Sequence, residues 1–148
     1  DDKKGVLVVN EAMKIENIET YMEPLDIPVS QNFVYGYTEP GIMSSFTYGA
    51  LASFVDMQYY LLFFSSEEIT LVGLTMMGQF SGNHIRFPYE DIEYLRIKKG
   101  LIEYKIVLKV RGEKKLTFKS NKMIAGIKWQ KNNLAFLDSA DWYNSKPL

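Results

Sequence analysis

The chain has 148 residues, of which 47% are hydrophobic and 14% aromatic, and its formal net charge is −1. This length suffices for one hydrophobic core and is too short for two ordinary domains. The sequence contains no cysteine, which excludes a disulfide framework, a thiolate nucleophile and a zinc site with thiolate ligands.

The first predicted element is a short amphipathic helix over residues 10–22. Its apolar residues recur at intervals of three and four, and Asn10 is a candidate N-cap. Two prolines that follow at a four-residue interval end the helix and predict an extended connector. We therefore divide the chain into residues 1–31, which hold the helix and connector, and residues 32–148, the main domain.

Two stretches of the sequence bear on a membrane. The opening "DDKKGVLVV" places acidic before basic residues and lacks an Ala-x-Ala-like site, which is not typical of a signal peptide. The low-charge stretch Gly41–Phe64 has the length of a membrane span, but Asp56 and Gln58 would be costly in a bilayer. We expect no transmembrane segment and a cytoplasmic protein, either free or associated with a membrane surface.

Strands are expected in the centre of the chain, where aromatic and β-branched residues gather. Residues 32–39 predict a strand that ends at a Pro-Gly turn, and residues 42–57 predict a loop or a short helix. The apolar runs "QYYLLFFS" and "ITLVGLT" flank "SSEE" and predict a hairpin in the core. "MGQFSGN" predicts a further turn, and Pro88 limits strand pairing after it.

Three more strands are predicted in "DIEYLRI", "LIEYKIVLKV" and "KLTFKS", which two glycine-containing hairpin loops join. The middle strand alternates with a period of two, so one face should pack and the other should be wet. The packed face is predicted to carry Ile102, Tyr104, Ile106, Leu108 and Val110. The wet face is predicted to carry Glu103, Lys105, Val107, Lys109 and Arg111.

A terminal helix is predicted from residue 122 onward, with Asn121 as its N-cap. Its apolar face is interrupted at Gln130, and Gly126 lowers its stability by about 1 kcal/mol relative to Ala. The residues of that face are Met123, Ile127, Leu134 and Leu137.

The stretch "FPYEDIEYLRIKKGLIEYKIVLKVRGEKKLTFKS", followed by a helix, resembles the second half of a bacterial pleckstrin-homology-like (PH-like) domain. The resemblance covers about residues 32–137 and implies a mainly β (α+β) fold, a partly open antiparallel barrel of about seven strands with a C-terminal capping helix. The short N-terminal helix is added to it. Lipid-binding members of the wider family carry Lys and Arg on the first two strands, whereas none occurs here from Ile15 to Ile85. Phosphoinositide binding at those strands is therefore not expected.

Catalytic and metal-binding patterns are weak. His84 is the only histidine and its neighbours form no nucleophile elbow, so we expect a hydrogen-bonding surface residue and a protein that is not an enzyme. Glu90, Asp91 and Glu93 match no calcium loop. We expect Asp91 to turn the chain and Glu93 to pair with a cation on a neighbouring strand. No cofactor is expected.

The basic residues are concentrated late in the chain. Residues 1–95 hold four Lys/Arg against fourteen Asp/Glu, and residues 96–148 hold thirteen against four. This asymmetry indicates either a partner or two halves whose fields partly cancel when folded. If the basic residues of the last two strands lie on the same side of the sheet, that side forms a cationic wall. Such a wall either binds anions or acts as a coat of lysines that prevents aggregation. The predicted anion-binding residues are Arg96, Lys98, Lys99, Lys105, Lys109, Arg111, Lys114, Lys115 and Lys119, with Lys122 beyond them.

These patterns together predict a non-enzymatic interaction module. The aromatic content favours a protein or peptide partner. Self-association is the second hypothesis, because PH-like sheets have open edges and the first helix can pack on a neighbour's domain instead of its own. The alternative is binding of an anionic membrane surface or another polyanion through the basic sheet face. Nucleic acid is the less expected polyanion.

Overall fold

The computed structural model of the protein describes residues 11–47 and 49–144. In these residues seven antiparallel strands form one sheet in the order β4-β3-β2-β1-β7-β6-β5, and the sheet is not closed. The strands are β1 (Phe33–Tyr37), β2 (Tyr59–Phe64), β3 (Glu68–Leu74), β4 (Phe80–Pro88), β5 (Ile92–Lys99), β6 (Glu103–Val110) and β7 (Lys115–Asn121). The helices are α1 (Ile15–Met22) and α2 (Trp129–Ser139). The predicted mainly β fold is confirmed and is consistent with a PH-like fold.

One hydrophobic core lies on the concave side of the sheet. It contains Leu62 and Leu71 from the predicted hairpin, Leu108 from β6 and Leu137 from α2. Because strands from both ends of the sheet contribute to one cluster, the sheet curves around it. The predicted core hairpin is confirmed, since β2 pairs with β3 along its whole length.

A second core lies on the other face of β1, β2 and β3. There α1 buries Ile18 and Met22 in the same cluster as Phe33 and Phe63, and the Trp129 indole N–H donates to the Met13 carbonyl over 2.8 Å. The N-terminal segment therefore packs on its own domain. Burial on both faces explains why β2 and β3 read as continuous apolar runs.

Side chains of α2 bridge a seam in the sheet where β1 and β7 diverge. The two strands are in register at only one pair, Tyr37 with Lys119. Further along, the buried Gln130 accepts from the Tyr35 N–H over 3.0 Å and donates to the Asn121 carbonyl over 2.8 Å. The residue that interrupts the apolar pattern of the predicted helix thus replaces missing ladder hydrogen bonds.

The terminal helix begins later than its sequence pattern predicts. Asn121 ends β7 instead of capping a helix, and α2 starts at Trp129. Gly126 has φ +80°, a left-handed conformation incompatible with a continuous helix, and Met123 is 76% exposed. The prediction of helix over residues 122–128, with Met123 on the buried face, was therefore wrong.

Other boundaries also shifted. At the N-terminus, a 3₁₀ turn at Glu11–Met13 precedes α1, and the candidate cap Asn10 lies outside the described residues. Residues 42–57 contain two 3₁₀ helices, Ile42–Ser45 and Gly49–Phe54. The β3–β4 turn lies at residues 75–79, earlier than predicted, because β4 already starts at Phe80. Within the described part of the chain, no helix has both the length and the apolar character to cross a membrane.

Candidate anion-binding face

The outer face of β5, β6 and β7 carries a row of lysines, in contrast to the covered outer face of β1–β3. Lys98, Lys105 and Lys119 are direct cross-strand neighbours on three adjacent strands. A parallel row pairs Lys109 with Lys115. We call this face the basic wall, and its cations are Arg96, Lys98, Lys105, Lys109, Lys115 and Lys119.

Carboxylates meet the basic wall mainly at its margins. Glu103, predicted on the wet face of β6, lies on the wall at the end next to the β5–β6 turn, where it accepts from the Tyr37 hydroxyl over 3.4 Å. Glu93 lies 3.7 Å from the ammonium group of Lys109, as predicted for a cation on a neighbouring strand, and Glu39 lies 3.8 Å from that of Lys119. The Arg96 guanidinium stacks over the Tyr94 ring at 4.1 Å. Among the described residues, no ion pair within 4 Å involves the wall lysines Lys98, Lys105 and Lys115.

The predicted wet face of β6 is not uniformly wet. Val107 lies on the basic wall but is buried, between Arg96 and Thr117 in register on the neighbouring strands. Ile102, predicted on the packed face, is exposed because it belongs to the turn that precedes β6. The remaining residues of the predicted packed face, which are Tyr104, Ile106, Leu108 and Val110, are buried.

Three of the predicted anion-binding residues lie off the basic wall. Lys99 is in register with the buried Tyr104 and therefore points to the concave side. Arg111 lies in the turn after β6, where its Nε donates to the Glu90 carbonyl over 2.9 Å. Lys114 is exposed in the same turn, at the far end of the sheet from the β5–β6 turn.

Lys99 instead takes part in a polar cluster around Asp138 of α2. Its ammonium group lies 3.3 Å from the carboxylate, which also accepts from the Tyr104 hydroxyl over 2.5 Å and the Trp142 indole over 3.0 Å. Burial alone would raise the pKa of Asp138, but these three partners lower it below its ordinary value of 3.8. Burial and the nearby carboxylate raise the pKa of Tyr104 to about 12.

Because its pKa is lowered in the folded state, ionised Asp138 stabilises the fold above its ordinary pKa, and this contribution is lost as the pH falls below that value. We expect Asp138→Asn to lower the free energy of unfolding by about 2 kcal/mol near neutral pH, because hydrogen bonds to a charged acceptor are weakened. Urea denaturation at a series of pH values will measure it. The difference from the parent should shrink as the pH falls below 3.8, and a difference independent of pH would contradict this assignment.

The β5–β6 turn carries two apolar side chains that sequence reasoning missed as a surface feature. Leu101 is 92% exposed and Ile102 is 76% exposed. They line a hollow of about 420 Å³ together with Lys98, Lys99, Glu103 and Lys105. The signal was present in "KKGLIEYK", but the predicted strand began at Leu101, two residues before β6 starts at Glu103.

The other candidate residues lie in a strand and in a turn, away from the basic wall. The single histidine, His84, lies in β4 opposite Val72, and its ring lies edge-on to the Tyr21 ring at a centroid distance of 6.4 Å. Its Nδ1 is buried and has no hydrogen-bond partner among the described residues, so the prediction of a hydrogen-bonding surface residue was wrong. Glu90 and Asp91 form part of a 3₁₀ turn, in which the Asp91 carbonyl accepts from the Arg111 N–H over 2.9 Å. No group of three or more metal-ligating side chains comes together among the described residues.

Comparison of the sequence with models of known protein families gives no match, and no curated protein matches it. The resemblance to PH-like domains therefore stays a prediction about family. The strand order and the C-terminal helix are consistent with that fold.

Proposed function

We propose that the protein is a non-enzymatic binding module that holds an anionic partner on the basic wall. The observation that carries this proposal is the row of Lys98, Lys105 and Lys119 on adjacent strands. Like charges directly opposite each other on a sheet are destabilising, and a bound anion relieves that repulsion.

The position of these lysines argues against a purely protective role. Lysines guard against aggregation when they lie on an edge strand, whose unpaired backbone can template another chain. Lys98 lies on the edge strand β5, but Lys105 lies on β6, which is paired on both sides. Protection of an edge therefore accounts for one lysine of the row and not for the others.

Reversal of charge at the centre of the basic wall tests the proposal. We expect Lys105→Glu with Lys119→Glu to weaken binding to heparin and to anionic vesicles at least about tenfold, since each lysine near an anionic surface contributes about 1 kcal/mol. Binding of the parent should fall steeply as salt rises from about 50 mM to about 200 mM. Affinity chromatography and vesicle sedimentation measure the two effects.

The matched control is Lys128→Glu with Lys131→Glu, which changes net charge equally at two exposed positions beside and within α2. This control should lose less affinity than the wall variant. A parent protein that binds neither heparin nor anionic vesicles at about 50 mM salt, where screening is weak, would refute the proposed function. Equal losses in the wall variant and the control would refute the basic wall as the binding surface.

A protein or peptide partner stays a prediction from aromatic content, and self-association stays a prediction from the amphipathic first helix and the open edges of the sheet. The apolar face of α1 packs on the sheet of its own chain through Ile18 and Met22, so this face is not free to pack on a second copy. The basic wall is the described surface with the clearest chemical preference, and that preference is for negative charge.

A further inference from the structure

We propose that the anionic partner is a phospholipid membrane and that the tip of the β5–β6 hairpin inserts into it. The tip is the pair Leu101 and Ile102, at the end of the hairpin where the Gly100 N–H donates to the Glu103 carbonyl over 2.9 Å. This inference rests on the proposed function, whose partner and mode of contact it specifies.

The tip is unusual because two consecutive large apolar residues are both highly exposed. Single exposed apolar residues are normal on protein surfaces. Here Leu101 is 92% exposed and Ile102 76% exposed, side by side at the end of a hairpin. The Ile102 carbonyl accepts from the Lys122 N–H over 3.0 Å, and the next residue, Met123, is 76% exposed. The same end of the molecule therefore presents three large apolar side chains to solvent.

Two cations of the basic wall lie beside the tip. Lys98 and Lys105 are direct cross-strand neighbours, and one carboxylate, that of Glu103, lies on the same face next to the turn. Lys99 points to the opposite side and is paired with Asp138. Lys98 precedes Leu101 by three residues, and Lys105 follows Ile102 by three, which is roughly 10 Å at about 3.3 Å per residue. Apolar groups of interfacial segments enter a bilayer by about 5–10 Å. With the tip at that depth, the ammonium groups reach the level of the anionic headgroups.

A bilayer fits this arrangement better than a protein surface does. Protein interfaces are anchored mainly by Trp, Tyr and Arg in well-packed pockets, whereas the tip is aliphatic and projects outward. The β3–β4 turn is a useful comparison, because Met76 and Met77 are 88% and 53% exposed there. That turn lies in the long stretch without Lys or Arg, so the two strands that it joins bring no cation next to its exposed apolar pair.

Insertion of the tip also predicts an orientation of the basic wall. The row of Lys98, Lys105 and Lys119 is the one nearest the tip. Lys115 pairs with Lys109, which lies four residues beyond Lys105 and thus roughly 13 Å farther from the membrane at about 3.3 Å per residue. A polyanion lying flat on the basic wall would use both rows, whereas a membrane contacted through the tip uses chiefly the first.

The first experiment removes the apolar side chains and keeps every charge. We expect Leu101→Ser with Ile102→Ser to weaken sedimentation with vesicles of phosphatidylcholine and about 30% phosphatidylserine at least about tenfold, because buried apolar area is lost. Binding to heparin should be unchanged, since heparin offers charge without an apolar phase. The matched control, Met76→Ser with Met77→Ser, removes another exposed apolar pair from a hairpin turn and should bind both probes like the parent.

The second experiment locates the tip directly and uses the absence of cysteine from the sequence. A polarity-sensitive dye on Leu101→Cys should shift its emission to the blue on anionic vesicles and be quenched by spin-labelled acyl chains. The same dye on Met76→Cys should do neither. In addition, Lys98→Glu with Lys105→Glu should lose more vesicle affinity than Lys114→Glu with Lys115→Glu.

The outcomes separate this inference from the proposed function. If the parent binds anionic vesicles while the dye at position 101 stays in water and the serine pair binds normally, insertion is refuted and the basic wall remains the binding surface. If the parent binds heparin but no vesicles, the membrane is refuted as the partner and the proposed function stands. If it binds neither probe, both are refuted.

Discussion

Replacement of Gln130 by leucine should lower the free energy of unfolding by about 3 kcal/mol, although leucine preserves the volume and helix propensity of the site. The glutamine amide bridges the β1–β7 seam, accepting from the Tyr35 N–H and donating to the Asn121 carbonyl and to the Ser120 hydroxyl. Leucine would leave these groups without their partner in a region shielded from water. An unpaired buried polar group costs about 1–3 kcal/mol.

The matched control for Gln130 is Asn132→Leu, which also replaces an amide by leucine on α2 but at an exposed position. It should change stability by less than about 0.5 kcal/mol. Urea denaturation of both variants, with comparison of midpoints at equal slopes, measures the difference. If the two variants are equally stable, the amide does not bridge the seam as the hydrogen bonds indicate.

Replacement of Phe33 by alanine should lower the free energy of unfolding by about 3–5 kcal/mol, the range for removal of a buried aromatic side chain. Phe33 is fully buried where the N-terminal segment, β1 and α2 meet. Its ring lies 4.7 Å from that of Trp129 and 5.1 Å from that of Phe63, measured between centroids. The cavity would therefore open between three elements that are distant in sequence.

The Phe33 variant also tests how much the second core contributes to stability. Trp129 fluorescence should change with the substitution, because its ring loses the tilted neighbour, and the denaturation midpoint should fall. Ile15→Ala serves as control, since Ile15 lies on α1 but is 43% exposed. A loss at Phe33 no larger than the loss at Ile15 would show that the second core contributes little to stability.

The strands were predictable where one face is wet. Along β6 the alternation of apolar and charged residues marks both the strand and its two faces, and Tyr104, Ile106 and Leu108 are buried as expected. The predicted core hairpin was recognised from its apolar runs and the polar turn between them. Such patterns are local, so they can be read without knowledge of neighbouring strands.

The candidate site was predictable in composition but not in arrangement. Its cations are visible in the sequence, yet only the register places Lys105 between Lys98 and Lys119. Lys99 was predicted with them and instead contacts Asp138, because neighbouring residues on a strand point to opposite faces. The exposure of Ile102 was not predicted, because the alternation of β6 was extended into the turn by one residue.

The sequence by itself determined the alternating strands, the late concentration of basic residues and the absence of thiol chemistry, because each depends on residue type and short-range spacing. Tertiary structure decided the start of α2 and the role of Gln130, which pairs with Tyr35, a residue 95 positions away. It also decided that α1 covers the outer face of the sheet over β1–β3 and leaves the same face open over β5–β7, where the basic wall lies. These features depend on the pairing of distant strands, where a backbone group left without a partner is costly enough to override local helix preference.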